Sequence, residues 1–126
     1  MSDILFLDIE TTGKAKAYDQ IVQVAYAWEV DGDLVDEQSV MIRPTIPISA
    51  GATAVHGITD EMVSDAPSFE EATRDLVRRI EQADIIATYN GNRFDIPILD
   101  SDFKRAGIRI QASSKHQLDS FRLLQE

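Results

Sequence analysis

Two short acidic clusters carry the residue types of metal-assisted chemistry. In Asp8-Ile9-Glu10 the acids stand two apart. On a strand, residues i and i+2 share a face with Cα atoms about 6.5–7 Å apart, a spacing at which two carboxylates can grip a hard cation. Taken alone, the triplet equally fits a turn cap at Asp8 and a solvated Glu10. The second cluster, Tyr89-Asn90-Gly91-Asn92-Arg93-Phe94-Asp95, puts a carboxylate at the start of a predicted helix, where the dipole favours an anion. Its plainer alternatives are a helix cap at Asp95, turn residues at Asn90 and Asn92, and a core anchor at Phe94. Adjacent acids at a strand end repel unless a cation compensates them, and open α/β sheets take ligands at such ends.

The elements that would position these acids follow from the apolar pattern. Ile4-Leu5-Phe6-Leu7 reads as a short strand buried on both faces, stopping at Asp8. Ile21–Val30 is rich in Val, Ile, Tyr and Trp, Asp31-Gly32-Asp33 supplies a hairpin turn, and Leu34–Ile42 is the returning strand. Pro44, Pro47 and Gly51 break regular structure, and Thr59–Val63 suits one or two helical turns. After Pro67, Ser68 and Glu71 match a capping box, and Phe69, Ala72, Leu76, Ile80 and Ala83 form one helical stripe. Asp84–Tyr89 is another buried strand, and Phe94–Ala106 a second helix with Pro97 in its first turn and Gly107 ending it. A last strand falls near Ile108–Ile110 or Gln117–Asp119, before a short helix over Ser120–Gln125. Three antiparallel strands followed by alternating helix and strand predict an α/β fold with a mixed sheet and helices packed on it.

At 126 residues one domain is the expectation. The absence of cysteine excludes disulfides, thiol nucleophiles and zinc–thiolate sites, in keeping with a reducing cytoplasm. Apolar runs of four or five residues are far short of a membrane span, so a soluble cytoplasmic protein is expected. The net charge of −10 repels polyanions. A nucleic-acid partner therefore needs bound cations or local donors that reverse the sign at one site.

Phe6-Leu7-Asp8-Ile9-Glu10-Thr11-Thr12-Gly13 resembles the first motif of the DEDD 3′–5′ exonucleases, and Asn90-Gly91-Asn92-Arg93-Phe94-Asp95 their second. Between them, Val55-His56-Gly57-Ile58-Thr59 followed by Ala66-Pro67-Ser68-Phe69 is similar to the connecting region of the DnaQ-like, proofreading-subunit branch. The resemblance implies a ribonuclease H-like fold and a two-metal phosphodiester hydrolase, with Asp8, Glu10 and Asp95 holding two Mg²⁺ or Mn²⁺ ions. It also implies that Thr11 and Thr12 meet the terminal nucleotide, partly through backbone amides. Ala52, Val55 and His56 would line the pocket for its sugar and base, with Phe94 beside it. For His56 the alternative is a core histidine bonded to a loop carbonyl. The implied substrate is the 3′ end of single-stranded DNA or RNA, with a DNA polymerase subunit as partner.

The family's third motif, His-x4-Asp on a later helix, is missing from this sequence. His116 and Asp119 stand too close together to match it, and Leu118-Asp119-Ser120 resembles the segment that precedes it. The chain thus reads as one exonuclease-like domain cut short at its C-terminal end. Three carboxylates in place of four imply a weak second ion, and a missing general base implies a rate loss on the order of 10² to 10⁴. An uncovered sheet face would favour self-association. The rival expectations are a non-catalytic module that binds nucleic acid or a polymerase, and an RNase H-type endonuclease.

Overall fold

A computed structural model describes residues 3–88 and 95–119. Its strands β1 (Asp3–Thr11), β2 (Ile21–Val30), β3 (Asp33–Met41), β4 (Ile85–Thr88) and β5 (His116–Asp119) form one sheet in the order β3-β2-β1-β4-β5. The first three make an antiparallel meander, while β4 and β5 join parallel to β1. The β2–β3 turn is tight because Asp31 and Gly32 both adopt positive φ, 51° and 89°, the combination that matches strand twist in a two-residue hairpin.

β1 departs from the expected strand in two ways. It runs through Asp8 and Glu10 instead of stopping at Asp8, so both acids lie on regular pleat. It is also buried on one face only. Leu5, Leu7, Ile9 and Thr11 are buried, while Ile4, Phe6, Asp8 and Glu10 alternate onto the opposite, more open face. Pairing with β2 on one side and β4 on the other makes β1 central without covering both its faces.

Helices cover the buried face. α1 (Ala50–His56) was not expected, because Pro47 and Gly51 read as breakers and the segment buries no apolar stripe. Its ends carry the signal instead: Ser49 Oγ accepts the Ala52 N–H at 3.1 Å, and Gly57 takes φ 76° at the C-cap. The predicted helix after Pro67 is two pieces, α2 (Phe69–Ala72) and α3 (Arg74–Gln82), divided at buried Thr73, whose hydroxyl donates to the Phe69 carbonyl. Ser68 caps the Glu71 N–H at 3.3 Å, and its hydroxyl, not its amide, meets the Glu71 carboxylate. Over Thr59–Val63 the chain makes short hydrogen-bonded turns, with the Met62 N–H on the Thr59 carbonyl and the Ser64 N–H on the Glu61 carbonyl. α4 (Asp95–Arg105) contributes Ile96, Leu99 and Phe103 to a core shared with Leu76 and Ile80 of α3 and with Leu5, Leu7, Val24 and Trp28 of the sheet. A smaller cluster of Val22, Ile48, Ile58 and Val63 anchors the loop that carries α1. The last strand is the later of the two expected segments, and the helix over Ser120–Gln125 lies outside the described residues. No helix among the described residues is long and apolar enough to cross a membrane.

β3 is one rim of the sheet. Leu34 and Val35 are exposed there, interspersed with Asp33, Asp36 and Glu37.

Asp102 ties α4 to the sheet. Its carboxylate accepts the Ile21 N–H at 2.8 Å and pairs with Arg105. Burial pushes this carboxyl up to about 6, against the Ile21 N–H and Arg105, which pull it down. The folded chain therefore holds the proton more tightly than the unfolded chain. The stabilisation this gives is present below about pH 4 and is lost as pH rises through about 6. Asp102→Asn should remove the loss. Urea midpoints of the two proteins, measured at about pH 4 and about pH 7, should differ by unequal amounts at the two pH values; an equal difference would contradict the assignment.

Candidate active site

The central strand delivers two of the three acids. Asp8 and Glu10 stand on the same face of β1, and Asp8 is exposed. β4 pairs with β1 as far as Thr88, opposite Leu7. Asp95, in the first turn of α4, stands near enough to the Ile9 amide, Asp8 and Glu10 for all three to act on its carboxyl. The third acid is therefore brought beside the strand that bears the other two, although it lies 87 positions beyond Asp8 in the sequence. It is only 8% exposed.

Charge crowding follows from this placement. The Asp95 carboxyl is pushed up to about 7, first by burial and then by the negative charges of Asp8 and Glu10, with the Ile9 N–H opposing. Burial and then Asp8 raise Glu10, against a lowering effect of His56. Asp8 makes it harder for both Glu10 and Asp95 to ionise, and Glu10 adds to the effect on Asp95, the repulsion a divalent cation would relieve. All three offer hard oxygen donors, the chemistry that suits Mg²⁺ or Mn²⁺. Among the described residues, however, no three histidine, aspartate or glutamate side chains already stand close enough to hold an ion. The donor set fits the metal in chemistry and charge, without forming a closed cage. Asp8 opens onto a shallow hollow of about 440 Å³ on the sheet face, floored by Phe6, Ala25, Ala27 and Ala87. Glu10 opens onto a neighbouring cleft.

That cleft, about 330 Å³, brings together five of the residues singled out from the sequence: Glu10, Thr11, Ala52, Val55 and His56. Val55 is 82% exposed, an apolar side chain left in solvent on α1. His56 joins α1 to β1. The Ile58 N–H donates to Nδ1 at 3.0 Å, which makes Nε2 the protonated nitrogen, donating to the Thr11 carbonyl at 2.8 Å. The structure thus gives His56 a backbone-carbonyl bond, as in its plainer alternative, but to the last residue of β1 and at the wall of the cleft. Both ring nitrogens are engaged, so His56 shapes the site and does not serve as a base.

Thr12 differs from expectation. It is 1% exposed, and it is not among the residues lining the cleft. Its amide donates to the Gln20 carbonyl, its carbonyl accepts from Ser49, and its hydroxyl donates to Asp19 Oδ1 at 2.7 Å while accepting the Gln20 N–H. Thr12 therefore builds the cleft from behind, with its amide, carbonyl and hydroxyl all engaged within the protein. Phe94 lies outside the described residues, as do Tyr89 to Arg93.

Sequence reasoning overlooked Asp19. Its buried carboxylate takes the Thr12 hydroxyl on one oxygen and the Ala15 N–H, at 2.7 Å, on the other. Nothing periodic marks it, and its type, a loop aspartate seven positions after Thr12, is the only hint.

The family model described as exonuclease (RNase T) matches residues 5–126, and the chain belongs to that family. Within it, the motifs are those of the DEDD, DnaQ-like 3′–5′ exonucleases. The chain is 30% identical over 116 residues to the PolC-type DNA polymerase III of Bacillus subtilis (strain 168), covering 92% of this chain and 8% of the polymerase. It is 36% identical over 93 residues to the corresponding protein of Thermotoga petrophila, covering 74% of this chain and 7% of the polymerase. The chain thus spans less than a tenth of these curated relatives. Among solved structures, E. coli Exonuclease I in complex with a dA16 oligonucleotide aligns with a TM-score of 0.82 over 98% of this chain and 29% of that one, at 20% identity. Exonuclease X in complex with 5′ overhanging duplex DNA aligns at 0.60, covering 75% of this chain and 52% of that one, at 32% identity. The fold is the ribonuclease H-like mixed sheet.

The Asp19 clamp also explains Gly13. A Cβ there would stand 2.6 Å from Asp19 Oδ2, and that carboxylate, held on both oxygens, has little freedom to retreat. Gly13→Ala is expected to cost about 1–3 kcal/mol, read as a lower urea midpoint; an unchanged midpoint would show that the clamp is slack.

Proposed function

We propose that this chain is a metal-dependent 3′–5′ exonuclease domain that hydrolyses the terminal phosphodiester of single-stranded DNA. The observation that carries the proposal is that Asp95, at the start of α4, is brought near Asp8 and Glu10, which share one face of the central strand. Asp8, Glu10 and Asp95 are the residues that would hold Mg²⁺ or Mn²⁺, whose charge would relieve their repulsion. Bound divalent ions supply positive charge to a −10 chain, a nucleophilic water and stabilisation of the leaving oxygen. The chain's own residues bind and orient. Ala52 and exposed Val55 offer an apolar wall for the terminal base and sugar, His56 fixes that wall to β1, and Thr11 borders Glu10 at the cleft floor. Water attacks phosphorus, the bond to the 3′ oxygen of the penultimate nucleotide breaks, and a nucleoside 5′-monophosphate leaves.

The PolC-type relatives support a place beside a DNA polymerase, as an editing or end-trimming activity of the cytoplasm. A second reading draws on the open arrangement of the three carboxylates: a module on the same fold that binds the strand without cutting it.

The test is shortening of a 5′-labelled single strand with and without Mn²⁺. Stepwise loss from the 3′ end that needs metal and falls at least about 10²-fold in Asp8→Ala and in Asp95→Ala supports the enzyme. Strand binding without shortening at high protein concentration favours the binding module, and internal cuts in an RNA–DNA hybrid would point to an endonuclease.

A further inference from the structure

The segment Gly13–Tyr18 stands out on a molecule of charge −10. It holds Lys14 and Lys16 and no acid, and every residue from Lys14 to Tyr18 is exposed. Among the described residues neither lysine has an ion pair or a hydrogen bond from its side chain, in contrast to Arg78, Arg79 and Arg105, each paired with an aspartate. Tyr18 holds its ring in solvent at 62% exposure. Lys14 stands at the wall of the cleft that contains Glu10 and is the one cation among the described residues lining it.

The loop is held in place although its side chains are free. Asp19 takes the Ala15 N–H, the Tyr18 and Asp19 amides both donate to the Ala15 carbonyl, and Arg105 of α4 donates to the Ala17 carbonyl at 3.2 Å. Its far end is fastened by the Thr12–Gln20 bonds and by Gln20 Nε2 on the Thr45 hydroxyl. A backbone fixed in this way needs little ordering when a ligand arrives.

We propose that the loop Lys14–Tyr18 is a docking arm for the single strand feeding the cleft, its lysines on the phosphates and Tyr18 against a base. The proposal rests on the exonuclease reading of the neighbouring cleft. Two cations and an exposed aromatic in one rigid loop are the elements with which proteins hold single strands without regard to sequence. Their continuity with the cleft through Lys14 sets the polarity: the 3′ end enters beside Glu10, and the upstream nucleotides lie along Lys16 and Tyr18. The arm also supplies the local reversal of sign that the chain's charge demands.

The experiment is fluorescence anisotropy of a 5′-labelled ten-nucleotide single strand with Ca²⁺ present, titrated at several salt concentrations. Each lysine–phosphate contact contributes about 0.7 to the slope of log affinity against log salt. Lys14→Gln with Lys16→Gln should therefore flatten the slope by about 1.4. Tyr18→Ala should raise Kd about fivefold or more, with the slope unchanged. Lys104→Gln, an exposed lysine on α4 outside the loop, controls for net charge and should leave the slope nearly as it is. Thermal midpoints equal to that of the unmodified protein confirm that the variants are folded. If the double lysine variant behaves like Lys104→Gln while the unmodified protein binds the strand, the docking arm is wrong and the exonuclease reading stands. If the unmodified protein binds no single strand, both fall.

Discussion

One placement organises the site: the Asp95 carboxyl set beside the Ile9 amide, near the two acids of the central strand. The first turn of α4 brings it there from 87 positions beyond Asp8. The placement sets a buried carboxyl against two other acids, at a cost visible in the raised proton affinity of Asp95 and Glu10. A fold that gathers acids in this way is poised for a cation, since neutral surroundings would favour fewer charges there.

The alternation of β1 gives that arrangement its rigidity. Leu5, Leu7 and Ile9 lock one side of the strand into the core with α3 and α4, so Asp8 and Glu10 on the other side inherit fixed Cα positions. The cleft is assembled with equal economy. His56 reaches the Thr11 carbonyl, Ser49 donates to the Thr12 carbonyl, and the α1 segment is thereby tied at two points to the end of the strand that bears the acids.

Much of this was legible in the sequence, for identifiable reasons. The bounds of β2 and its turn into β3 were plain, because β-branched and aromatic residues meet an Asp-Gly pair that accepts positive φ. The acids could be placed at a sheet rim because a run of large apolar residues leads into Asp8. Other features were not legible. α1 lacks an apolar stripe and contains Gly51, so only its caps announce it. Thr73 divides the next helix through a hydroxyl bond that no periodicity encodes. The burial of Thr12 as a brace depends on Asp19, a partner only seven positions away but of common residue type. Patterns report which face an element buries; they are silent on which loop aspartate will turn inward.

The acidic rim at β3 has a consequence of its own. A free strand edge with two bare aliphatic side chains, Leu34 and Val35, invites a sister molecule to extend the sheet. Here Asp33 and Glu37, both exposed, stand on either side of that invitation, so an added chain would bring further carboxylates to the same rim. The rim acts as a gatekeeper, and the price of leaving a strand unprotected is met by making it repulsive to its own kind.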